Sequence, residues 1–269
     1  MNAKNLRSQY LENGIVFPLT ALSESEALLA QRQYMNLCDP GKVVAEGERR
    51  VFGHLLHPWI AQLVSHPAIL EAVRCLIGPN VLVWVSEFNS KAPRTSSFFS
   101  WHQDLYYWKH HYDDLRAIPL VTTWLALSPA NMDSGCMQVV PGSHTQLVPH
   151  VEEPSEHNML TRSQLIPVGI DKSKALPVEL AAGEFSLHHP LLYHASGPNQ
   201  SATARIGLVT RYMAPEVVPP IRPAYTWLVS GEDPYGHWDH VAPLNAEAGP
   251  ELRQKCMQSI QRATGARFK

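Results

Sequence analysis

The sequence predicts a mainly β protein with flanking helices, whose core is a jelly roll, that is, a double-stranded β-helix. Residues 1–79 carry helical patterns with capping and stop signals. From residue 80 to residue 214 the chain changes to short β-branched and aromatic segments that are separated by turn residues. Because helices come first and about eight strands follow, we expect one sandwich or barrel around a pocket, with the helices as its support.

Length and charge limit the functions that the chain can have. With 269 residues, 45% of them apolar, and no linker-like run, we expect a single domain over residues 1–269. The formal charge of -2, from 22 basic and 24 acidic residues, indicates neither a nucleic-acid footprint nor a polybasic membrane patch. We therefore expect a small-molecule substrate, no nucleic-acid or membrane partner, and a monomer or homodimer.

Cysteine usage and the first residues bear on the compartment. The 4 cysteines are far apart and form no CxxC pair, which argues against a zinc knuckle and against a disulfide framework. The sequence predicts buried thiols in a reducing compartment. The N-terminal residues are polar with a helical pattern, and no apolar run approaches membrane-spanning length. The expected location is the cytoplasm.

Helix signals define the N-terminal support, residues 1–79. Gly14 is a stop signal for a first helix, and Ser23 with Glu26 three residues later forms a capping box for a second. Gly78 and Pro79 stop a third. Helices are predicted up to Gly14, over about 24–38 and over about 66–77.

Strand signals follow from residue 80 onward, after one earlier apolar run. They are short runs rich in β-branched and aromatic residues between turn residues. Strands are predicted over residues 15–17, 81–90, 98–108, 121–127, 136–140, 178–180, 184–189 and 205–213.

Two irregular stretches interrupt this pattern. Residues 147–177 form a polar connection that is longer than compact domains usually tolerate unless the loop is functional, so it is a candidate lid over the pocket. Residues 215–269 form a Pro-rich C-terminal arm that ends in a predicted helix over about 246–263. We expect this arm to wrap the outside of the barrel or to form a dimer contact.

A possible metal site stands out in the predicted strand 98–108. His102 and Asp104 are two residues apart, so on a strand both side chains point to the same face and offer two neighbouring ligands. The third ligand would be one of three histidines further along, His188, His189 or His194. Two imidazoles and one carboxylate occupy three positions of an octahedral iron and leave three open, whereas thiolates would favour zinc or clusters.

Three segments together identify a family. They are His102-Gln-Asp104, the segment 135–144 with the sequence GCMQVVPGSH, and a segment that runs from Ala182-Gly-Glu to Arg211-Tyr212. Over about residues 80–214 the chain resembles the phytanoyl-CoA dioxygenase family of Fe(II)- and 2-oxoglutarate-dependent oxygenases, which includes the ectoine hydroxylases. The resemblance implies a jelly-roll core and the cofactors Fe(II), 2-oxoglutarate and O2. It implies hydroxylation of an unactivated C–H bond, with succinate and CO2 as co-products.

The resemblance also implies roles for particular residues. His102, Asp104 and His194 would be the metal-binding and catalytic triad, since the family places its arginine eleven residues beyond the second histidine, as Arg205 lies beyond His194. Arg205 would bind the distal carboxylate of 2-oxoglutarate, because a guanidinium can bond a carboxylate in a bidentate way. Ser196 would assist it. Asn89, thirteen residues before His102, matches an asparagine that contacts 2-oxoglutarate in ectoine hydroxylases.

Asp104 also distinguishes two reactions within the superfamily. In halogenating members a small residue replaces the carboxylate, so that chloride can bind the iron. The carboxylate is present here, and hydroxylation or a related C–H oxidation is favoured over chlorination.

Substrate contacts are predicted from strand parity. Tyr106 and Trp108 continue the parity of His102 if the strand persists, and Trp108 coincides with a substrate-contacting tryptophan of ectoine hydroxylases. Phe99 would close the mouth, and Glu87 shares the parity of Asn89. A carboxylate beside aromatic rings suits an ammonium group. This predicts a small cationic or zwitterionic metabolite, such as an amine, a betaine-like compound or an aminophosphonate, unless Glu87 pairs with a basic residue.

Other functions stay open at this point. One is secondary-metabolite tailoring within the same family. A second is a metal hydrolase or isomerase on a cupin-like barrel, in which zinc would support activity and 2-oxoglutarate would be irrelevant. A third is a non-catalytic jelly-roll binding protein, which would keep full ligand affinity after Asp104→Ala.

Overall fold

A computed structural model describes residues 2–39, 52–108, 112–167, 169–219, 222, 224–243, 245 and 249–264. Within these ranges the helices are α1 (Ala3–Asn13), α2 (Glu24–Leu37), α3 (Gly53–Leu56), α4 (Pro58–Val64), α5 (Pro67–Ile77), α6 (Asp104–Trp108) and α7 (Pro250–Thr264). The strands are β1 (Ile15–Thr20), β2 (Val81–Lys91), β3 (Phe99–His102), β4 (Leu120–Ala126), β5 (Met137–Val139), β6 (Val151–Glu152), β7 (Gln164–Leu165), β8 (Leu176–Val178), β9 (Glu184–His188), β10 (His194–Ser196), β11 (Arg205–Met213), β12 (Tyr225–Ser230) and β13 (Asp239–His240).

Two sheets form the core of the fold. The larger has the strand order β1-β9-β4-β11-β2-β12-β13, and the smaller has the order β3-β10-β5-β8. All pairs are antiparallel except β12 with β13. Trp124 and Val209 of the larger sheet belong to one buried cluster with Met137 and Val139 of the smaller, so the two sheets face each other. The predicted jelly-roll fold with flanking helices is confirmed, and the two sheets do not close into one barrel.

Helices cover the outer face of the larger sheet. Alternate residues of β11, among them Leu208 and Tyr212, point away from the smaller sheet and pack in one apolar cluster with α1, α2, α4 and α5. The hydroxyl of Tyr212 donates to the carbonyl of Val64 at 2.6 Å. This layer leaves the inner face of the larger sheet for the pocket.

The predicted capping and stop signals of the first two helices are present in the structure. The capping box at α2 is formed, since the backbone N–H of Ser23 donates to Glu26 at 2.8 Å and Glu26 N–H donates back to the Ser23 hydroxyl at 3.3 Å. Gly14 ends α1 with φ 74, a left-handed conformation that glycine adopts without strain. Helices α3 and α4 were missed. Helix α2 ends at Leu37, close to the predicted residue 38, and Pro40 and Gly41, which follow it in the sequence as a stop signal, lie outside the described residues.

The prediction of one strand over residues 98–108 is wrong beyond His102. Strand β3 ends at His102, and α6 begins at Asp104. The neighbouring strand β10 begins at His194, directly opposite His102, so β3 has no partner further along. Instead the N–H of Leu105 donates to the carbonyl of Pro190 at 3.0 Å, and the aromatic residues that follow turn into a helix.

The C-terminal arm contributes more than an outer wrapping. Strand β12 pairs with β2 and extends the larger sheet. Helix α7 begins at Pro250, whereas the predicted start near residue 246 lies outside the described residues. Cys256 of α7 is buried in a cluster with Phe52 and Leu55. The single-domain organisation and the dimer contact stay predictions.

The long connection 147–177 contains a small ladder of its own. Strands β6 and β7 pair with each other, and a 3-10 turn over Lys172–Lys174 precedes β8. The connection is bonded to the edge of the smaller sheet, because the N–H of Met159 donates to Phe98 and the N–H of Ile166 donates to Trp101, both at 2.8 Å. It therefore borders the pocket that the two sheets enclose.

The cysteines and the most apolar helices bear on two of the sequence predictions. The 4 cysteines, all within the described residues, form no disulfide; Cys136 and Cys256 are buried and the other two are partly buried. Among the described helices, no single one is long and apolar enough to cross a bilayer, and only the bent pair α4 with α5 reaches that length and composition jointly.

Candidate active site

Three possible metal ligands converge where the smaller sheet meets α6. His102 is the last residue of β3, Asp104 is the first of α6, and His194, the first of β10, lies opposite His102 in the register. The Nε2 atoms of both histidines are 3.7 Å from Oδ1 of Asp104. One ligand atom from each of the three residues lies within 4.8 Å of the others. The turn at Gln103 therefore brings His102 and Asp104 together, although they do not share a strand.

Both imidazoles are oriented by the backbone. Nδ1 of His102 donates to the carbonyl of Ser100 at 2.7 Å, and Nδ1 of His194 donates to the carbonyl of Leu192 at 2.9 Å. Each bond fixes the tautomer in which Nε2 carries a free lone pair. Burial, followed by the neighbouring His102, lowers the pKa of His194 well below its usual value. His194 is thus a neutral imidazole at pH 7, as a metal ligand must be.

Asp104 is held as a carboxylate. Burial alone would raise the pKa of Asp104, but the adjacent imidazoles of His102, His188 and His194 and the charge of Arg211 outweigh it and keep this pKa well below its usual value. The hydroxyl of Thr122 donates to Oδ2 at 3.2 Å. Oδ1 faces the two ligand histidines, whereas Oδ2 faces the larger sheet.

This donor set fits Fe(II). Two neutral imidazoles and one carboxylate leave open coordination positions, and the three residues line one side of a cavity between the sheets. His188 also lies near Asp104, with Nε2 3.8 Å from Oδ2. It contacts the outer oxygen of the carboxylate and is not a member of the converging triad.

Gln103 holds the turn between the two ligands. Its amide nitrogen donates to the carbonyls of Gln146 at 2.8 Å and Leu191 at 2.7 Å, and its carbonyl accepts from the N–H of Val148 at 2.9 Å. The backbone N–H of Gln103 also donates to Nε2 of His150 at 2.9 Å. The positioning role of Gln103 was not predicted, although its place between the two ligands in the sequence was a signal.

Two buried cations lie at one end of the cavity. Arg205 is 2% exposed and Lys91, its partner in the register of β11 and β2, is 1% exposed. In the described part of the chain neither has a carboxylate partner: Arg205 donates to the carbonyls of Gly135 at 2.5 Å and Asn89 at 3.3 Å. Nε of Arg205 is buried without a partner. Two buried cations without an acid indicate a site for an anion.

The role of Lys91 was not predicted from the sequence, because a lysine on a strand gives no signal of burial. Its ammonium group donates to Oγ of Ser196 at 2.7 Å and also to the carbonyl of Gly197. Burial, followed by the charge of Arg205, lowers the pKa of Lys91 to about 6. An anion between the two cations would reverse this effect.

An aromatic wall supports Arg205. Cζ of Arg205 lies 5.2 Å from the ring centroid of Trp124, within the range of a cation–π contact. Gly207 makes room for this ring, since a Cβ there would lie 2.1 Å from Cζ2 of Trp124. Gly135, with φ 71, likewise brings its carbonyl to Arg205, and a Cβ there would lie 2.5 Å from the carbonyl oxygen of Gly197.

An ion pair lies elsewhere on the cavity wall. Glu87 of β2 and Arg211 of β11 form a salt bridge, with side chains that are 20% and 11% exposed. Burial opposes the charge of Arg211, but Glu87 and Asp104 outweigh it and raise the pKa of the guanidinium. Glu87 lines the cavity as predicted, but it pairs with a basic residue, which is the exception under which the sequence offers no support for a cationic substrate.

The predicted substrate-contacting residues separate into two groups. Phe99 and Glu87 line the cavity, as do Asn89 and Ser196 of the predicted cosubstrate site. Tyr106 and Trp108 are not among the residues that line this cavity, since α6 replaces the predicted strand. Tyr106 stacks on His150 with ring centroids 4.1 Å apart, and the ring centroid of Trp108 lies 5.0 Å from Cζ of Arg211. Trp108 thus contacts a residue of the cavity wall.

Comparison with known proteins agrees with this geometry. The family model of phytanoyl-CoA dioxygenase matches residues 39–207. Human peroxisomal phytanoyl-CoA dioxygenase is 30% identical over 139 residues, which are 50% of this chain and 40% of that protein. L-proline trans-4-hydroxylase of Streptomyces griseoviridis is 27% identical over 230 residues, which cover 77% of this chain and 82% of that protein.

A solved structure extends the likeness to nearly the whole chain. The apo form of the non-heme monooxygenase ThoJ superimposes with a TM-score of 0.81 at 30% identity, over 97% of this chain and 95% of that one. The chain thus spans less than half of the human relative but most of the other two proteins. The family match covers more than half of the chain, and the residues it includes hold His102, Asp104 and His194. This protein therefore belongs to the phytanoyl-CoA dioxygenase family of oxygenases, which use Fe(II), 2-oxoglutarate and O2.

Proposed function

We propose that this protein hydroxylates an unactivated C–H bond of a small molecule, using Fe(II), 2-oxoglutarate and O2 and releasing succinate and CO2. One observation carries the proposal: the triad His102, Asp104 and His194 lines the same cavity as the buried Arg205, which has no acidic partner among the described residues. A metal site alone would also serve a hydrolase or a binding protein. A metal site beside an unneutralised arginine suits a chelating dicarboxylate.

His102, Asp104 and His194 would hold Fe(II) through two Nε2 atoms and one carboxylate oxygen. The chemistry that Fe(II), 2-oxoglutarate and O2 supply when bound is oxidation of a substrate C–H bond. Asp104 occupies the position that a halogenating enzyme leaves to chloride, which supports hydroxylation. The hydrogen bond from Thr122 holds the carboxylate in one orientation.

Arg205 would bind the distal carboxylate of 2-oxoglutarate. The Nε–H of Arg205 is buried with no partner among the described residues and offers a donor, and Lys91 adds a second basic group, which would be charged once the carboxylate is bound. Ser196 would share this carboxylate, because its hydroxyl already lies 2.7 Å from the Lys91 ammonium group. Asn89 lines the same wall and supports Arg205 through its backbone carbonyl.

The finer proposal concerns the substrate, which we infer to be a small zwitterionic metabolite. Glu87 supplies the negative charge that the sequence pointed to, and its pairing with Arg211 favours a zwitterion over a simple cation. L-proline trans-4-hydroxylase acts, by its name, on a zwitterionic amino acid. A place in the tailoring of secondary metabolites remains compatible with this substrate class. Action in the cytoplasm as a monomer or homodimer is part of the same proposal.

The connection 147–177 would act as a lid. The cavity encloses about 80 Å³, and Leu160 of the connection is one of its lining residues. Binding sites for small molecules usually measure about 300–1,000 Å³, so this cavity is too small for 2-oxoglutarate and a substrate together. Movement of the connection with Leu160 away from the cavity would admit both, and its return would exclude water from the site.

An anaerobic titration tests the cofactor site. We expect 2-oxoglutarate to produce a visible charge-transfer band with the Fe(II)-loaded protein, and we expect Arg205→Ala to weaken its binding by at least about tenfold. Arg116→Ala is the matched control, because this arginine is exposed and lies outside the cavity. A protein that binds iron but gives no band, or a band unaffected by Arg205→Ala, would contradict the proposal. Substrate-stimulated succinate formation then tests the reaction itself.

A further inference from the structure

The Glu87–Arg211 pair is placed where a substrate would meet it. Both residues point from the larger sheet into the cavity that the metal ligands line. Arg205 and Arg211 are six residues apart on β11, so their Cα atoms are separated by about 20 Å along the strand. Arg211 lines the cavity with Glu87 and Asp104, whereas Arg205 lies beside Lys91 at the other end of β11. The triad is therefore flanked by two separate charged groups.

Hydrogen bonding leaves donors of Arg211 unused. One amino group, Nη1, bonds to Oε1 of Glu87. Nε is buried and has no partner among the described residues. A guanidinium offers five N–H donors in a rigid fork, so a single contact with Glu87 leaves enough donors for a second carboxylate. Buried polar groups are nearly always satisfied, and an unused Nε next to a cavity indicates a ligand.

Packing against aromatic rings holds the guanidinium of Arg211 in place. The ring centroid of Trp108 lies 5.0 Å from Cζ of Arg211. Trp108 is itself fixed by Trp84, with centroids 5.4 Å apart in an edge-on arrangement. A guanidinium stacked on an indole loses little further freedom on binding, which favours recognition of a planar carboxylate.

Stability alone does not account for the pair. A buried ion pair is often no more stabilising than apolar residues of the same volume, because both charges lose their hydration. Val209, between Arg205 and Arg211 on the same face, shows that this wall accommodates an apolar side chain. A charge pair at this place is explained by a ligand that carries charges of its own.

We propose that Arg211 and Glu87 together determine substrate specificity by binding a small zwitterion, with its carboxylate or phosphonate on Arg211 and its ammonium group on Glu87. This inference rests on the proposed function and names the substrate class of that site. A simple anion would be opposed by Glu87 and Asp104, and a simple cation by Arg211 and the metal. Only a molecule with both charges is attracted by both members of the pair.

Binding without turnover provides the test. The Fe(II)–2-oxoglutarate protein is titrated anaerobically with L-proline, glycine betaine and 2-aminoethylphosphonate, and with the comparators prolinamide, pyrrolidine and cyclopentanecarboxylate, each of which lacks one of the two charges. Calorimetry and the shift of the visible band report binding. We expect at least one zwitterion to bind at least about tenfold more tightly than its comparators, since charge-assisted hydrogen bonds are the stronger ones.

Variants separate this inference from the cofactor site. Arg211→Gln should weaken zwitterion binding at least about tenfold while 2-oxoglutarate affinity stays within about twofold, and Arg205→Ala should show the opposite pattern. Glu87→Gln, which keeps Arg211 and a similar volume, should reduce the preference for proline over cyclopentanecarboxylate. Thermal unfolding of each variant checks that it is folded.

Three results would overturn the inference. The first is that no zwitterion of the panel binds to protein that binds 2-oxoglutarate normally. The second is that folded Arg211→Gln binds the zwitterion as tightly as wild type, or that Glu87→Gln leaves unchanged the preference for that zwitterion over an analogue without its ammonium group. The third is that Arg211→Gln loses 2-oxoglutarate instead, which would assign Arg211 to the cosubstrate.

Discussion

The ammonium group of Lys91 lies 2.7 Å from the hydroxyl of Ser196, two residues beyond the metal ligand His194. This contact joins β2 of the larger sheet to β10 of the smaller one. It also places a lysine, whose pKa is lowered to about 6, beside Arg205. The Arg205 end of the cavity thus contains one permanent cation and one basic group that can lose its charge near neutral pH.

Binding of 2-oxoglutarate should take up protons. At pH 7.5 Lys91 is mostly neutral in the free protein, because its pKa is about 6. The charge of Arg205 disfavours the protonated form of Lys91. A bound carboxylate would favour that form and raise the pKa of Lys91. The complex therefore holds more protons than the free protein. Affinity should rise as pH falls toward 6, by up to about tenfold per unit, and then level off.

Calorimetry in buffers of different ionisation enthalpy measures this uptake, which we expect to approach about one proton per 2-oxoglutarate at pH 7.5. Lys91→Met should abolish it and weaken binding. Lys174→Met is the control, since that side chain is 73% exposed. An uptake that persists in Lys91→Met would assign the proton to another group.

His194 and His188 should differ sharply in metal binding. Nε2 of His194 faces the same oxygen of Asp104 as His102 does, whereas His188 faces the other oxygen at 3.8 Å. We expect His194→Ala to weaken Fe(II) binding by more than about 100-fold and His188→Ala by less than about tenfold. Anaerobic equilibrium dialysis with metal analysis measures both. The reverse order would make His188 the third ligand.

Gly207→Ala should displace the Trp124 ring and so disturb the position of Arg205. The added Cβ would lie 2.1 Å from Trp124, whose ring supports Arg205. Overpacking of this kind costs about 1–3 kcal/mol of the free energy of unfolding. Gly249→Ala is the matched control, because no atom lies within 4 Å of its Cβ position. Urea unfolding gives the stability, and equal effects of the two substitutions would show that Trp124 is free to move.

Gln103→Leu should loosen the turn that joins the two ligands. It removes three side-chain hydrogen bonds to Gln146, Leu191 and Val148, and leaves those backbone groups unpaired. At about 1 kcal/mol for each bond, the loss of stability should be roughly 3 kcal/mol. Fe(II) affinity should fall as well. Gln200→Leu, at an exposed site, serves as control, and unchanged metal affinity in folded Gln103→Leu would exclude a positioning role.

Much of this site followed from the sequence because its parts lie in short segments. The spacing of His102 and Asp104, with the offset from His194 to Arg205, identified residues that the fold brings to one cavity. The limits of β11, Arg205–Met213, matched the prediction, since a run of β-branched and apolar residues between turns has no competing interpretation.

Other features depended on contacts between distant residues. Tyr106 and Trp108 read as strand because aromatic residues favour strands, but the strand ends where the partner β10 begins. The burial of Lys91 follows from the approach of Ser196, more than a hundred residues away in the chain. Strand β12 joins the larger sheet through β2, and nothing in its own sequence indicates that partner.

One strand carries residues of both charged ends of the cavity. Glu87 and Lys91 lie four residues apart on the same face of β2, a distance of about 13 Å that the pleat of the strand fixes. A zwitterion bound at Glu87, as proposed, would present its atoms to the metal at depths set by its own length. The site of oxidation would then depend on the number of carbons between the ammonium group and the oxidised atom. The spacing of Glu87 and Lys91 itself cannot be changed, because a one-residue slip of β2 would turn both side chains out of the cavity. New products would therefore be obtained by changing other side chains of the cavity.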